Sequence, residues 1–266
     1  MMETPDTDVE SSQYRIDSVD TAIALLILLA SHPNIGLSEI ARRAGHSKAR
    51  VFRLIKTLEA RGMLIQSSTD RTYRLGYAAL ILGGAAARQT DLVQIGGPIL
   101  ASLGQAIGET AQLRIIHGNE SMCIACWEPA RELKVNALVG RRRPLYRGTN
   151  RVLLAFSPPE FQAAILDALA SEQIPSHRPP VQVAELRQQL EAIRAAGYLV
   201  SHSDMMEELS GVGCPIFGPD RRLVGAINIS APSNRLQHNL DNAIAAVTSS
   251  SRAWSGWCWR GWDGRP

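Results

Sequence analysis

Residues Ser47 to Leu64, SKARVFRLIKTLEARGML, gather hydroxyl and basic side chains at spacings that suit binding to an anionic polymer. Val51, Leu54, Ile55 and Leu58 recur at i, i+3, i+4 and i+7, a single apolar stripe of an α-helix. Ala49, Arg50, Arg53, Lys56 and Thr57 fall roughly opposite that stripe. Guanidinium forks match guanine O6/N7 or phosphate oxygens. Ser47 and Lys48 stand where a helix N-terminus can hold phosphate through backbone N–H groups and charge. Alone, such a segment is also a good solvated amphipathic helix, so its neighbours decide.

The neighbours form a recognisable order. DSVDTAIALLILLASHPN, from Asp17, reads as a helix that is apolar around much of its circumference. It is expected to be well buried, partly against a second subunit. GLSEIARRAGH follows, with Ser38 as the expected N-cap, Ile40, Ala41 and Ala44 facing inward, and Gly45 as the stop. Only His46 separates that stop from Ser47, the N-cap of the basic helix, which Gly62 ends. Two short β-compatible runs, Leu64–Gln66 and Thr72–Leu75, flank the turn signal Ser67-Ser68-Thr69-Asp70. Helix, short helix, tight turn, helix and hairpin make a winged helix-turn-helix, in which the second helix of the pair enters the DNA major groove. Arg71 and Arg74 in the wing are placed to reach the adjacent backbone or minor groove. The expected DNA-facing set is Ser38, Ser47, Lys48, Ala49, Arg50, Arg53, Lys56, Thr57, Arg71 and Arg74.

Charge agrees with this placement. The chain of 266 residues carries a net charge of only +3. Residues 15–76 hold ten Lys/Arg against five Asp/Glu, whereas residues 1–14 hold four acids and no base. Positive charge is thus concentrated on the helix-turn-helix segment.

The length suits two domains. We expect an acidic disordered tail over 1–14, the DNA-binding domain over 15–76, a linker helix over 77–92, a second domain over 93–250 and a Trp-rich tail over 251–266. The segment after Gly76 is helical in pattern, with breaks expected at Gly83-Gly84 and Gly96-Gly97-Pro98. Thr110–His117 and Ser121–Trp127 read as a hairpin, Leu133–Val139 as another strand, and NRVLLAF, PPEFQAAILDALA and Val183–Ala196 as helices. The Ser157–Glu160 stretch supplies an N-cap, a Pro at the first helical position and an acid. GVGCPIFGPDRRLVGAINIS reads as two strands around Gly218-Pro219-Asp220, and a last helix spans about Leu240–Ser249. The whole is α+β, an antiparallel sheet covered by helices. Asn228 and Ser230 lie two apart on an apolar strand and so share a face; buried there, they need partners from each other, the backbone or a ligand.

LSEIARRAGHSKARVFRLIKTLEARGMLIQSSTDRTYRLG resembles the DNA-binding signature of the IclR-type transcriptional regulators. The resemblance continues through GETAQL, VGRRRPLY, LLAF, IRAAGYLVS and LVGAINISAP, covering roughly Asp17 to Asp241. It implies a GAF-like C-terminal domain binding a small organic effector, an acid or an aromatic compound. It also implies homodimers or homotetramers acting on a near-palindromic double-stranded DNA operator. The effector positions that the resemblance transfers are Gly148, Thr149, Ser201, Gly211, Asn228 and Ser230. Gly148-Thr149-Asn150 would open a helix whose N-terminus suits a carboxylate. Several relatives have an acid and a cysteine where this chain has Ser201 and Gly211, and Arg147 stands where Ala is common. An inward Arg147 would favour an anionic ligand.

Other chemistries find little support. Cys123 and Cys126 have redox-motif spacing, but residues three apart on a strand point to opposite faces, so packing is expected. His117, His177, His202 and His238 show no metal spacing, and no metal or cofactor is expected. Asp204, Glu207 and Glu208 read as a solvated acidic loop. No nucleophile elbow or phosphate loop is present, so the chain is expected not to be an enzyme; turnover of a small acid by the C-terminal domain is the alternative. The longest apolar run, Ala22–Ala30, is about half a membrane span, and the N-terminus lacks a signal-peptide core. A cytoplasmic location without a membrane partner follows as the expectation. The tail RAWSGWCWRGWDGRP, with four of the five tryptophans, reads as a disordered extension.

Overall fold

A computed structural model describes residues 16–171, 181–202, 204, 208–218 and 220–260. The expected tail over 1–14, with His177, Glu207 and residues 261–266, lies outside them. The chain divides into two units, with the boundary between Thr90 and Asp91.

In the first unit, α1 (Asp17–Ser31), α2 (Leu37–Ala44) and α3 (Lys48–Ala60) precede a hairpin of β1 (Leu64–Gln66) and β2 (Tyr73–Leu75). Leu64 pairs with Leu75 and Gln66 with Tyr73. Leu25 and Leu29 of α1, Ile40 and Ala41 of α2, Val51 and Ile55 of α3, and Leu64 and Tyr73 of the wing form one buried cluster. Ser47 caps α3, its Oγ accepting from Arg50 N–H at 3.4 Å. Gly45 ends α2 at φ 68°, a left-handed conformation that glycine adopts without a Cβ penalty. Ser38 does not cap α2: the helix begins one residue earlier, and Gly36 is its N-cap. Within the single chain, α1 is buried on one side only. Val19, Ile23 and Ile27 form an exposed stripe on it, Ile23 being 51% exposed. The unit ends with α4 (Tyr77–Arg88), which runs unbroken through Gly83-Gly84.

The second unit opens with α5 (Asp91–Ile107), continuous through Gly96-Gly97-Pro98 where a break was expected. Six strands follow: β3 (Thr110–His117), β4 (Glu120–Trp127), β5 (Arg142–Pro144), β6 (Leu199–His202), β7 (Leu209–Phe217) and β8 (Leu223–Pro232). They form one sheet in the order β5-β4-β3-β8-β7-β6, every neighbouring pair antiparallel. Between β5 and β6 come a single 3-10 turn (Gly148–Asn150), α6 (Arg151–Phe156), α7 (Pro159–Ala170) and α8 (Val183–Ala196). The chain then continues through α9 (Ser233–Gln237) and α10 (Leu240–Arg260). Ser157 does not cap α7; its Oγ donates back to Leu154 O at 2.8 Å, and Pro158 is the cap residue.

The two faces of the sheet differ in kind. Ala111, Leu113, Val212, Cys214, Ile227 and Ile229 pack with Leu100 and Leu103 of α5 and with Ala243, Val247 and Trp254 of α10. The opposite face carries Gln112, Arg114, Asn228 and Ser230, which line a cavity beside the 3-10 turn. Trp254 explains Gly96 of α5 and corrects the expected tail. The helix continues to Arg260, and the Trp254 indole is fully buried where a Cβ on Gly96 would strike it. Gly96 is therefore a packing residue, and its helix-breaking tendency is overridden by the indole it admits. Trp254→Ala is expected to cost about 3–5 kcal/mol, readable as a lowered denaturation midpoint.

Leu133–Val139 is not a strand. The segment joins β4 to β5 as an irregular wall, since no neighbouring strand pairs with it. Side chains satisfy its backbone instead: Thr110 Oγ1 donates to Val135 O at 2.7 Å, Arg235 Nη2 to Leu133 O at 3.0 Å, and Ala137 N to Glu128 Oε1 at 2.7 Å. The cysteine expectation is corrected as well. Leu113 pairs with Ala125 but Arg114 pairs with Cys123, so a β-bulge at Ile124 breaks the alternation. Cys126 and Cys123, opposite Gln112 and Arg114, thereby share one face, Cys123 Sγ donating to Ala125 O at 3.4 Å and Cys126 Sγ to Ala137 O at 3.6 Å. The neighbouring thiol and burial push Cys123 up, and its partner Cys126 is held down.

Candidate functional site

Two regions concentrate exposed or unsatisfied polar chemistry, one in each unit. On α3, Lys48, Ala49, Arg53, Lys56 and Thr57 are exposed, while Val51 and Ile55 anchor the opposite face. Arg71, at φ 60° in the wing turn, and Arg74 on β2 are exposed too, as is Ser38 near the start of α2. Arg50 differs from the other bases. Its Nη2 pairs with the Asp17 carboxylate and donates to Thr21 Oγ1 at 3.0 Å, tying the first turn of α3 to α1. Arg53 has a guanidinium that no acceptor holds among the described residues. Lys56, though exposed, is partly engaged, 2.7 Å from Glu59 Oε2 and 5.7 Å from the Phe52 ring centroid. On α2, Arg42 and Arg43 hydrogen-bond to Glu39 and hold its carboxyl down at about 2, which fixes the outer face of that helix.

In the second unit, Gly148, Thr149, Ser201, Gly211, Asn228 and Ser230 all line one cavity of about 720 Å³, its open mouth included. Register brings four of them together: Ser201 pairs with Gly211, Gly211 with Ser230, and Gly213 with Asn228. Thr149 sits directly on β7. A Cβ at Gly211 would lie 2.9 Å from Thr149 Cγ2, and one at Gly213 3.1 Å from Thr149 Cβ. The two glycines are what allow the 3-10 turn to approach the sheet. Ser230 Oγ accepts from Asn228 Nδ2 at 3.0 Å and from Gln112 Nε2 at 3.3 Å, and Gln112 Oε1 accepts from Arg114 Nη1 at 3.2 Å. A buried polar row thus crosses β8 and β3.

Sequence reasoning missed Gln112, Arg114, the irregular wall 135–138, Arg141 and Arg143, all of which line the same cavity, as does Asn150, named only as part of a helix start. A signal for two of them was present: Gln112 and Arg114 stand two apart in an otherwise apolar strand, as Asn228 and Ser230 do. The expected carboxylate site at Gly148 is already engaged. Gly148 N–H donates to Asp204 Oδ2 at 2.6 Å, and Asp204 also meets Arg151 at 2.9 Å and Arg147 at 3.6 Å. Asp204 is therefore not the solvated loop acid expected, and Arg147 spends charge on it. Among the described residues no cluster of His, Cys, Asp and Glu is arranged to hold a metal ion, and no helix is long and apolar enough to cross a membrane.

Comparison with known proteins bears on both units. Residues 18–68 match the IclR helix-turn-helix domain, and residues 84–256 match the C-terminal domain of bacterial IclR transcriptional regulators. The chain is 30% identical over 219 residues to the HTH-type transcriptional regulator KipR of Bacillus subtilis, covering 82% of this chain and 87% of KipR. It is 27% identical over 236 residues to the HTH-type transcriptional repressor AllR of Klebsiella pneumoniae, covering 87% and 86%. A solved IclR regulator from Alicyclobacillus acidocaldarius superimposes with a TM-score of 0.82 at 25% identity, covering 92% of this chain and all of that one. An IclR homologue from Microbacterium hydrocarbonoxydans, solved in complex with 4-hydroxybenzoate, shares the fold with a TM-score of 0.76 at 21% identity, covering 91% and 99%. These similar proteins are regulators rather than enzymes. With a helix-turn-helix in its first unit and an α+β effector-binding domain in its second, the chain belongs to the IclR family of bacterial transcriptional regulators.

Proposed function

We propose that this regulator works in the cytoplasm as a homodimer or homotetramer on a near-palindromic operator, and that a small organic effector, an acid or an aromatic compound, modulates it from a GAF-like C-terminal domain. The convergence of Gly148, Thr149, Ser201, Gly211, Asn228 and Ser230 on one polar-lined cavity carries the effector reading. The 4-hydroxybenzoate bound by the Microbacterium homologue supports an effector of that size. On DNA, α3 supplies the readers: Ser47 and Lys48 seat the helix on phosphate, Arg53, Lys56 and Thr57 face the groove, and Arg71 and Arg74 extend the contact through the wing. Arg50 belongs to this surface as the residue that sets the start of α3, through Asp17 and Thr21.

The exposed stripe of Val19, Ile23 and Ile27 on α1, and Tyr77, Leu80 and Ile81 on α4, support self-association. Apolar faces of this kind on an isolated chain suit burial against a second copy. Ligand control then requires that the effector bind one arrangement of the paired domains better than another.

Selection of bound duplexes from a random library, with and without candidate effectors, tests the reading. An enriched inverted repeat whose occupancy changes with an effector is the expected result. Ile23→Glu should shift the protein to monomer in sedimentation and lose binding to the repeat. A fully associated Ile23→Glu protein, or enrichment of single half-sites alone, contradicts the paired arrangement.

A further inference from the structure

One wall of the cavity is strongly cationic. Arg114, on β3, is 5% exposed. Its Nε donates to Ser121 Oγ at 3.2 Å, its Nη2 to Ser121 O at 3.2 Å and Arg141 O at 3.1 Å, and its Nη1 to Gln112 Oε1 at 3.2 Å. Every one of these acceptors is neutral, and among the described residues no carboxylate pairs with Arg114. Arg141 and Arg143 line the same cavity, and Ser121 Oγ, which receives Arg114, donates to Arg143 O at 3.1 Å. Among the described residues, the cavity lining holds these three arginines and neither Asp nor Glu. Burial pulls the Arg114 guanidinium down to about 10, with the Arg143 and Arg141 charges acting in the same direction, yet it stays cationic at neutral pH. A buried cation facing only neutral acceptors is costly until an anion meets it.

Donor and acceptor counts refine the chemistry. A guanidinium has five N–H donors; the contacts above occupy four and leave one on Nη1. Asn150, also 5% exposed, donates from Nδ2 to Arg147 O at 3.1 Å, which fixes the direction of its amide. Its Oδ1 is buried with no hydrogen-bond partner among the described residues, and Asn150 lines the cavity. The site therefore offers charge for an acid at one wall and an acceptor that requires a donor at another. The backbone N–H of Gly148 is taken by Asp204, so the acid is not needed there.

We propose that the effector is a small hydroxy-dicarboxylate, its acid groups held on the Arg114, Arg141 and Arg143 wall and its hydroxyl donating to Asn150 Oδ1. The assignment rests on the cavity being the effector site. Two acid groups offset three arginines better than one does, and the hydroxyl supplies the donor that Asn150 lacks.

Calorimetry and operator binding on the full chain test it with malate, succinate, lactate, 4-hydroxybenzoate and the neutral dimethyl ester of malate. Malate is expected to bind more tightly than succinate or lactate, and the diester not at all. Arg114→Gln should weaken malate by about tenfold to a hundredfold. Arg143→Gln, at a half-buried position, should weaken it in the same direction with an unchanged circular dichroism spectrum. Asn150→Leu should remove the preference of malate over succinate. Malate binding equally well to a folded Arg114→Gln or Arg143→Gln protein overturns the assignment, as does diester binding that matches malate. If 4-hydroxybenzoate or the diester changes operator affinity and malate does not, the dicarboxylate fails while the effector reading stands. If none of the five binds or alters operator affinity, the dicarboxylate is overturned; the effector reading fails with it unless a compound from a wider screen alters operator affinity in the native chain and not in Gly211→Val.

Discussion

Arg53→Ala should weaken operator binding, relax its selectivity and leave thermal unfolding where it was. Its guanidinium is exposed, no acceptor restrains it among the described residues, and Val51 and Ile55 hold the helix beneath it. A lost base-edge fork costs about 1–3 kcal/mol and relaxes preference at one position of each half-site. On the proposed symmetric operator with its two half-sites, a dimer loses twice that, about thirtyfold or more in affinity. Lys48→Ala tests a different role on the same helix. A phosphate contact carries no sequence information, so that variant should weaken all duplexes alike and reduce the salt slope by about one counterion per subunit. Arg50→Ala provides the contrast. Its side chain bonds to Asp17 and Thr21 of α1, so its loss should loosen the start of α3 and lower stability, besides any effect on DNA. Fluorescence anisotropy on matched and scrambled duplexes distinguishes the three. Retention of full selectivity by Arg53→Ala would remove that residue from the reading set.

The difference between Arg50 and Arg53 marks where the sequence is legible and where it is not. Helix α3 was readable because its apolar stripe, Ser47 cap and Gly62 stop are local features with a 3.6-residue period. The wing was readable for the same reason. The partner of Arg50 is Asp17, 33 residues away, and no local period reports it. Long-range contacts explain the other departures. Gly96-Gly97-Pro98 resembles a helix break, but the α5 backbone is continuous because Trp254 fills the space beside Gly96. The two cysteines were placed on opposite faces by strict alternation, and the bulge at Ile124 puts them on the same one. In the cavity, the family resemblance located six residues that do line a single space. It was silent on Arg114 and gave Asn150 no role of its own, and their importance lies in burial without an opposite charge and in an unmatched acceptor. Neither property is visible until β3, β5 and the 3-10 turn are assembled.

The same assembly predicts a variant that uncouples ligand from DNA. Gly211→Val should eliminate the calorimetric and operator response to any effector while the helix-turn-helix unit still binds DNA. A Cβ at position 211 would lie 2.8 Å from Ile229 O and 2.9 Å from Thr149 Cγ2. Relief of the carbonyl contact needs a small shift of β7 against β8, and relief of the Thr149 contact a shift of the 3-10 turn that carries Gly148, Thr149 and Asn150. Overpacking of this kind costs about 1–3 kcal/mol, small enough for the domain to stay folded. The added methyl groups also enter the space beside Ser230, whose Oγ would be 3.6 Å from the new Cβ. Local strain and pocket filling can be separated by a second change. Thr149→Ser removes Cγ2, one of the two close atoms, so Gly211→Ala combined with Thr149→Ser should be less destabilised than the sum of the single variants. Strict additivity would mean that Thr149 does not press on β7. A Gly211→Val protein that keeps a full effector response would mean that the ligand lies elsewhere in the unit, because no small molecule can share the floor of this cavity with a valine side chain and the 3-10 turn it displaces.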